Sequence, residues 1–432
     1  MSDEKKHDDD QRTPAARQLS DELRGATKLV VDATKHVSSV VQEMHEQIGG
    51  GPALLGRPLT PFIRLFSGPV YASIRAVADV VGVGLDALLA ELAPAFDGAV
   101  PSTEYDSVRA ALCGVLGDHL AATKNPLAID MTLRARGKDL VLTREGLAEA
   151  LPDATGRALL LLHGSSMDDA FFMRDGHHHG AFLAREHGFT VVTVRYNSGL
   201  HVSENGRALD PLLESLVEHW PVDIDALVLL GFSMGGLVAR SAVHVADEAH
   251  RRWRDALSAM IFLGTPHHGA PLERVGNVVD ALLDVSRYSA PLRKLAAVRS
   301  AGITDLRYGL VIDEHWRGKD RLALERDPRE ACALPEGVPC FVIAGSMSRA
   351  VPSTTNGAPS TEHGLAGDSL VEVDSALGRH GNDALDLHVP SARQHVVMGV
   401  RHNDLLGSEE AARVMSGWGG EVLAAKGGAG GG

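Results

Sequence analysis

The sequence predicts an α/β fold, a mostly parallel sheet with flanking helices, preceded by an all-helical N-terminal region. After residue 125, short aliphatic segments alternate with stretches of helical periodicity, a pattern typical of parallel strands covered on both faces. Before residue 125, apolar residues recur at helical spacing alone. The predicted organisation is a disordered tail at 1–18, a helical region at 19–125, the sheet domain at 126–420 and a flexible glycine-rich tail at 421–432.

The helical N-terminal region follows a charged tail that contains few large apolar residues. Its first helix carries an apolar stripe that repeats every seven residues, at Leu23, Val30, Val37 and Met44. Apolar spacing predicts three further helices, the last of which follows Ser102. Because the stripe lacks a lysine- and arginine-rich polar face, we expect these helices to pack on the sheet domain or to mediate self-association rather than to enter bilayers.

The sheet domain begins after Asn125-Pro126, where the segment MTLRARGKDLVLT alternates enough for one or two strands. Six further strands are predicted at ALLLLHG (158–164), FTVVTVRY (189–196), ALVLLGFS (226–233), SAMIFLGTP (258–266), PCFVIAGS (339–346) and HVVMGVRH (395–402). Helices are predicted between strands at 167–187, 206–219, 234–250 and from 271 to about 300.

Composition excludes several classes of partner. The chain has 42 basic and 56 acidic residues and a formal charge of −14, which argues against nucleic acid and against anionic membranes as partners. Its cysteines, Cys113, Cys332 and Cys340, are odd in number and far apart, which favours free thiols over a disulfide framework or a zinc site. With no apolar signal-peptide core and no long apolar run, we expect a soluble, cytoplasmic protein without a transmembrane segment.

The stretch Gly231-Phe232-Ser233-Met234-Gly235 fits the nucleophile-elbow pattern G-x-S-x-G. At such an elbow the serine adopts a strained backbone conformation, and side chains two residues to either side would collide. The pattern alone is weak, but here it follows the predicted strand ALVLL and precedes a predicted helix, which is the context that the elbow requires. Ser233 is therefore the candidate nucleophile, and a plain strand-to-helix turn is the alternative.

An elbow serine needs backbone donors for the oxyanion that forms during acyl transfer. The predicted strand ALLLLHG ends at His163-Gly164-Ser165, where glycine lets the chain swing so that the Ser165 N–H can reach the oxyanion beside the Met234 N–H. We predict these two groups as the oxyanion hole, with a simple turn as the alternative. His163 is predicted to be a structural hydrogen-bonding residue rather than an acid or base.

The remaining triad members should follow Ser233 in the order carboxylate, then histidine. Asp368 lies on the loop beyond the strand PCFVIAGS, and its competitors, which we interpret as solvated surface charges, are Glu372, Asp374 and Asp383. His402 ends the last predicted strand and His395 begins it, roughly 20 Å away at the usual rise of an extended chain. Since catalytic groups gather at the carboxyl ends of parallel strands, His402 is the predicted base.

Two histidine clusters are weaker candidates. His177, His178 and His179 lie in a predicted helix without a carboxylate at metal-ligand spacing, so we predict no metal site. His267 and His268 follow a strand at its carboxyl end and are interpreted either as substrate-binding residues of an acyl pocket or as part of a structural turn.

Several motifs resemble the α/β-hydrolase lipases and esterases of the GPI inositol-deacylase-like group. They are GFSMGG, LLHGSS, VRYNSGLHVSENGR, FLGTPHHGAPLERVGN, GDSLVEVDSALG and RHNDLL, spread over about residues 155–415. The resemblance implies an eight-stranded α/β-hydrolase core, serine-ester chemistry and no cofactor. It makes Ser233 the nucleophile, Asp368 the acid, His402 the base and Ser165 with Met234 the oxyanion donors. It also implies that Asn197 lies near the site and that 271–310 is either a cap-like insertion or an ordinary covering helix.

The predicted function is that of a serine carboxylic-ester hydrolase, of esterase or lipase type, acting through a Ser-His-Asp triad on an acyl-ester or lipid-like small molecule. Two alternatives stay open on the sequence. An acyltransferase would use the same triad but pass the acyl group to an alcohol or thiol. A non-catalytic scaffold of the same fold would carry a triad that does not react.

Overall fold

The computed structural model describes residues 103–270, 300–319, 327, 329–349 and 366–429. The predicted apolar stripe at 23–44, the predicted helices before residue 103 and most of the predicted cap-like segment lie outside the described residues. The chain divides into two units, Met1–Tyr105 and Asp106–Gly432, and almost all described residues fall in the second.

Ten strands are formed by the described residues. In chain order they are β1 (Thr132–Ala135), β2 (Lys138–Asp139), β3 (Arg157–Leu162), β4 (Met173–Arg174), β5 (His177–His178), β6 (Thr190–Arg195), β7 (Ala226–Phe232), β8 (Leu257–Leu263), β9 (Cys340–Ser346) and β10 (Gln394–Met398). Eight of these form one sheet in the order β10-β9-β8-β7-β3-β6-β1-β2, while β4 and β5 form a separate hairpin. From β10 to β6 every neighbour is parallel, and only β1 pairs in an antiparallel way with β6 and β2.

The strands at the centre of the sheet are aliphatic because both of their faces are covered. All residues of β7, β8 and β9 are buried, and in β3 only Arg157 is exposed. A strand that is buried on both faces has no solvent-exposed positions for polar residues, so its sequence is a continuous apolar run. The predicted parallel sheet is confirmed, and MTLRARGKDLVLT supplies the two strands β1 and β2.

Helices connect these strands and cover the sheet. The described helices are α1 (Thr103–Ala122), α2 (Arg144–Ala150), α3 (His179–His187), α4 (Val202–His219), α5 (Met234–Ala249), α6 (Arg252–Ala256), α7 (Ala301–Asp305), α8 (Val373–Ala376) and α9 (Glu409–Ala429). Among these, no helix has both the length and the apolar composition needed to cross a bilayer.

The prediction of a helix over 167–187 is wrong in its first half. A 3-10 turn at Asp169–Phe172 leads into the hairpin of β4 and β5, and the helix begins only at His179. The hairpin turns at Asp175 and Gly176, which have φ values of 51° and 78°. Asp-Gly with two left-handed residues is the favoured chemistry of a tight hairpin turn. The three histidines at 177–179 are therefore divided between a strand and a helix start.

The C-terminal helix α9 differs from the predicted flexible tail at 421–432, because it continues to Ala429. Val422 is buried in the same apolar cluster as Met415 and Trp418, and the Trp418 ring stacks on Phe341 of β9 with centroids 4.9 Å apart. Packing on the sheet thus extends the helix into a segment whose glycines alone would suggest flexibility.

Helix α1 confirms the helix predicted after Ser102, and it packs on loops of the sheet domain. The Asn197 amide donates to the Gly117 carbonyl at 2.9 Å, and the Ser300 hydroxyl donates to the Gly114 carbonyl at 2.7 Å. The Ser107 hydroxyl also donates to the Asp168 carboxylate at 2.6 Å. From Asp106 onward, α1 belongs to the same unit as the sheet.

Candidate active site

Ser233 lies between β7 and α5 in the conformation that a nucleophile elbow requires. Its φ and ψ are 53° and −124°, a region that residues other than glycine rarely adopt. The neighbouring strand stabilises this strained backbone conformation, because the Ser233 N–H donates to the Leu263 carbonyl at 2.9 Å. The residue is 3% exposed and follows a fully buried strand.

The glycines around Ser233 are required by close packing. A Cβ atom on Gly231 would overlap the backbone of Gly236 and lie 2.7 Å from the Gly235 carbonyl carbon. On Gly235 it would meet the backbone carbonyl that ends β3, and on Gly236 it would overlap the Thr265 hydroxyl and lie 2.7 Å from its Cγ2. The turn therefore admits no side chain at these three positions without displacement of its neighbours.

A glycine substitution in α5 tests this packing. Gly236→Ala should lower the free energy of unfolding by about 1–3 kcal/mol because the added methyl group has no space beside Thr265. Gly417→Ala is the matched control, since Gly417 is an exposed glycine of α9 whose Cβ would meet no atom within 4 Å. The control should raise stability by about 0.4–1 kcal/mol. Urea unfolding of both variants gives the comparison, and equal shifts in the two would contradict the crowding argument.

The predicted oxyanion loop lies beside the elbow. A Cβ on Gly164 would be 3.2 Å from the Cβ of Ser233, so a larger residue at 164 would press on the serine. Ser165 is fully buried, and its hydroxyl has no hydrogen-bond partner among the described residues. Met234 is the first residue of α5, so its N–H has no partner within the helix. The structure thus brings the His163–Ser165 loop and the start of α5 together around Ser233.

His163 has the surroundings of a structural residue. Its Nδ1–H donates to the Gly164 carbonyl at 2.8 Å, its Nε2 accepts from the Tyr196 N–H at 3.4 Å, and its ring stacks on Tyr196 at 4.1 Å. The Tyr196 hydroxyl in turn donates to the His163 carbonyl at 2.6 Å. Burial lowers the pKa of His163 to about 4, so the ring is neutral near pH 7. This agrees with the predicted hydrogen-bonding role.

Buried neutral histidines make the fold sensitive to acid. Burial lowers the pKa of both His163 and His179 to about 4, whereas an unfolded histidine titrates near 6.5. Between these values the unfolded chain binds the protons, so this part of the stability is present above pH 6.5 and is lost as the pH falls toward 4. At about pH 5 the loss is on the order of 2 kcal/mol per histidine.

Asp168 has the opposite effect on the pH dependence of stability, because burial raises its pKa to about 6. Protonation of Asp168 stabilises the folded state between about pH 6 and pH 4, and this gain offsets roughly the stability lost through one of the two histidines. The urea midpoint should therefore be clearly lower at about pH 5 than at about pH 7.5. An unchanged or higher midpoint at the lower pH would contradict this prediction.

Asp368 and His402 form a buried pair. The Nδ1–H of His402 donates to Oδ2 of Asp368 at 2.7 Å, and the two residues are 1% and 0% exposed. Oδ1 of Asp368 accepts from the N–H groups of Leu370 and Val371 at 3.0 and 2.8 Å. The His402 N–H also donates to the Asp368 carbonyl at 2.8 Å. These four hydrogen bonds hold the carboxylate in place and fix the orientation of the His402 ring.

The His402 ring lies beside the elbow. Its centroid is 5.0 Å from that of Phe232, the residue before Ser233, and its Nε2 is buried without a hydrogen-bond partner among the described residues. His395, in contrast, lies near the start of β10 and contacts the Glu410 carboxylate at 2.8 Å. The predicted strand over 395–402 is too long, because β10 ends at Met398 and Gly399, with φ of 73°, turns the chain toward His402.

The competing carboxylates are outside this cluster. Glu372 is exposed, the Asp383 side chain is 97% exposed, and Asp374 forms an ion pair with Arg379 at 3.5 Å. Their positions agree with the prediction that they are surface charges.

The candidate substrate-binding residues are largely engaged within the protein. The Asn197 amide donates to Gly117 and accepts from the Gly199 N–H at 3.1 Å. His267 is 1% exposed, with Nδ1 3.3 Å from the Arg240 guanidinium, and burial lowers its pKa well below the ordinary value. The Nδ1 of His268 accepts from Arg329 at 3.0 Å. A substrate-binding role for these three residues stays a prediction.

Sequence reasoning missed the residues that support the His402 turn. The Leu405 carbonyl, within the 3-10 turn His402–Gly407, accepts from Nε2 of His179 at 2.8 Å. Arg174 of the β4–β5 hairpin forms an ion pair with Asp404 of the same turn at 3.3 Å. The Asp-Gly dipeptide at 175–176 was the available signal, since it predicts the hairpin that carries Arg174 and ends just before His179.

Residues 207–330 match the family described as PGAP1-like alpha/beta domain. The chain has an α/β-hydrolase fold, and this segment of it resembles the PGAP1-like group. The matched segment contains the elbow, with Ser233 and Met234, and the loop with His267 and His268. The predicted eight-stranded core and the predicted family resemblance are thereby confirmed. No curated protein sequence matches the chain.

Three solved structures are similar to the chain at low sequence identity. The Bacillus licheniformis lipase BlEst2 in its mature form is 15% identical, with 62% of this chain and 91% of that chain covered and a TM-score of 0.37. An esterase from Thermogutta terrifontis is 15% identical, with 62% and 92% covered and a TM-score of 0.35. The Pyrococcus furiosus esterase Pf2001 is 14% identical, with 63% and 82% covered and a TM-score of 0.35.

Proposed function

We propose that the protein is a serine carboxylic-ester hydrolase that works through an acyl-enzyme on Ser233. The observation that carries the proposal is the buried contact of 2.7 Å between Asp368 and His402, next to a serine held at a φ of 53°. A buried carboxylate that orients an imidazole has one well-known use in this fold, which is to activate a serine at the elbow. The substrate class is an acyl ester or lipid-like small molecule.

In the proposed first step, Nε2 of His402 accepts the proton of the Ser233 hydroxyl while the serine oxygen attacks the ester carbonyl. The Asp368 carboxylate keeps the proton of His402 on Nδ1, which leaves Nε2 free to accept, and it stabilises the imidazolium that forms. The backbone N–H groups of Ser165 and Met234 donate to the oxyanion. Collapse of the intermediate releases the alcohol, which takes its proton from His402.

In the second step, water attacks the acyl-enzyme with His402 again as the base, and the acid is released. The N–H of Met234 is suited to its role because it belongs to the unpaired first turn of a helix of 16 residues, where the helix dipole favours negative charge. Among the described residues, no group of histidine, cysteine and carboxylate side chains is arranged to hold a metal ion.

Labelling with a fluorophosphonate tests the proposal, since this probe phosphonylates an activated serine and leaves other serines alone. We expect one adduct per chain, located on Ser233 by mass spectrometry and abolished in Ser233→Ala. Ser391→Ala, at an exposed serine of the same domain, is the matched control and should be labelled like the wild type. If the folded wild-type protein gives no adduct, or if the adduct lies elsewhere, the esterase proposal is wrong and the scaffold alternative is favoured.

A further inference from the structure

A cavity lies on the flank of α5, away from Ser233. It has a volume of about 420 Å³ and is formed between α5 and the segment 331–336. Its charged lining residues are Arg240, His244, Asp247, Arg254 and Glu336. Of these, Arg254 is paired with Asp247 at 2.6 Å, and His244 lies 3.5 Å from the Glu248 carboxylate. Arg240 and His244 are the two cavity residues that interact with Cys332. A volume of this size admits a small organic molecule.

Cys332 lines this cavity and contacts two cationic groups. Burial by itself raises the pKa of a thiol, but the hydrogen bond to His244 and the charge of Arg240 outweigh it, and the pKa of Cys332 lies below its ordinary value. The same contact acts in the other direction on the partner, since the hydrogen bond to Cys332 raises the pKa of His244. Each shift favours the charged form of its group, as expected for a thiol and an imidazole joined by a hydrogen bond.

Arg240 gives an independent indication of an anion in the cavity. It is 6% exposed, its Nη2 donates to the Cys332 carbonyl at 2.6 Å, and its Nε is buried without a hydrogen-bond partner. Across the described ranges, no carboxylate forms an ion pair with it. A buried guanidinium without a carboxylate partner is costly, and the Cys332 side chain interacts with it through a hydrogen bond and through charge.

The other two cysteines have no such surroundings. Cys113 and Cys340 are 0% and 5% exposed, and burial raises the pKa of each to about 12. Their sulfurs lie near backbone carbonyls, of Leu127 and Val338 respectively. The chain therefore contains its own reference thiols, which stay protonated at neutral pH.

We propose that Cys332 is a reactive thiolate that undergoes thiol–disulfide exchange with small disulfides entering the 420 Å³ cavity. The Cys332 thiolate attacks one sulfur of the disulfide and forms a new S–S bond with it. The original S–S bond breaks, and its electron pair leaves with the second sulfur as a thiolate, which takes up a proton from water. This site is separate from the ester-hydrolase proposal and does not depend on it.

The probe is 5,5′-dithiobis(2-nitrobenzoate), an aromatic disulfide with two carboxylates that releases a coloured thiolate on exchange. With the folded protein near neutral pH we expect one equivalent of release per chain, with the adduct mapped to Cys332 and absent in Cys332→Ser. In denaturant, all three cysteines should react. Reaction of the folded chain only at Cys113 or Cys340, or no reaction before unfolding, would overturn the proposal.

The histidine contact gives the second arm of the experiment. His244→Gln should slow the exchange by about tenfold and move the midpoint of its pH dependence upward, because the imidazolium that favours the thiolate is lost. His388→Gln, at a histidine whose side chain is 65% exposed, is the matched control and should react like the wild type. The other charges near the pair are Glu248, Glu314 and Arg329, all unchanged in these variants. Equal rates in His244→Gln and the wild type would refute thiolate activation.

Discussion

His402→Ala should lower kcat/KM for a nitrophenyl ester by about 10³-fold or more, whereas His395→Ala should leave most of the activity in place. Members of a triad act as a unit, so removal of the base costs nearly as much as removal of the nucleophile. His402 is 1% exposed, holds the Asp368 carboxylate at 2.7 Å and has an unpartnered Nε2. No other described histidine combines a buried carboxylate at Nδ1 with a ring beside the elbow.

His395 is a suitable control because it lies in the same predicted strand, 395–402, as His402. It is the second residue of β10 and lies opposite Ile343 of β9, whereas His402 follows the end of β10 at Met398. Its Nε2 contacts Glu410, an exposed pair on the surface that contributes little to stability. The two variants therefore separate the proposed base from a nearby histidine of equal chemistry.

The measurement is kcat/KM for both variants after circular dichroism has confirmed that they fold. A fluorophosphonate should label Ser233 rapidly in His395→Ala and very slowly in His402→Ala, which gives a second readout of serine activation. Activity of His402→Ala within tenfold of the wild type would exclude it as the base.

The centre of the sheet was predictable from the sequence because its strands are buried on both faces. The runs ALLLL, ALVLL and AMIFL leave few alternatives to a covered parallel strand, and they became β3, β7 and β8. The elbow was predictable for a different reason, since only glycine fits at 231, 235 and 236. In both cases the local sequence is dictated by a physical requirement, either burial of both strand faces or the lack of space for a side chain, and this requirement holds whatever the rest of the fold.

The hairpin of β4 and β5 shows where local patterns mislead. Its strands are two residues each and lie inside a stretch whose apolar residues fit a helix. The hairpin depends on contacts distant in the chain, including those between Arg174 and Asp404 and between His179 and Leu405. Periodicity carries no information about partners that are more than 200 positions away, and the helix prediction over 167–187 took no account of the Asp-Gly dipeptide.

Residues of the same type can differ in pKa because of charged neighbours that the sequence does not reveal. Cys332 and Cys340 are eight positions apart, yet the pKa of one lies below its ordinary value and burial raises that of the other to about 12. The difference arises from Arg240 and His244, which reach Cys332 from a helix nearly a hundred residues earlier in the chain. Spacing alone gave three equivalent free thiols.

Asp368→Asn should lower kcat by on the order of 10⁴-fold while the protein stays folded. The asparagine can keep the existing contacts of Oδ1, which accepts from the N–H groups of Leu370 and Val371 at 3.0 and 2.8 Å. These two donors also prevent the amide from flipping, because a flipped NH₂ group would face them. The new NH₂ group must then occupy the position of Oδ2, 2.7 Å from Nδ1 of His402.

An amide donor in that position forces Nδ1 of His402 to accept, so the imidazole proton moves to Nε2, where it blocks transfer from Ser233. The loss should therefore appear in kcat, with the unfolding midpoint close to that of the wild type because the His402 N–H still donates to the backbone carbonyl of residue 368 at 2.8 Å. Asp383→Asn, at a side chain that is 97% exposed, is the matched control and should keep full activity. If Asp368→Asn folds and keeps kcat within tenfold of the wild type, the carboxylate does not set the tautomer and the triad assignment fails at this residue.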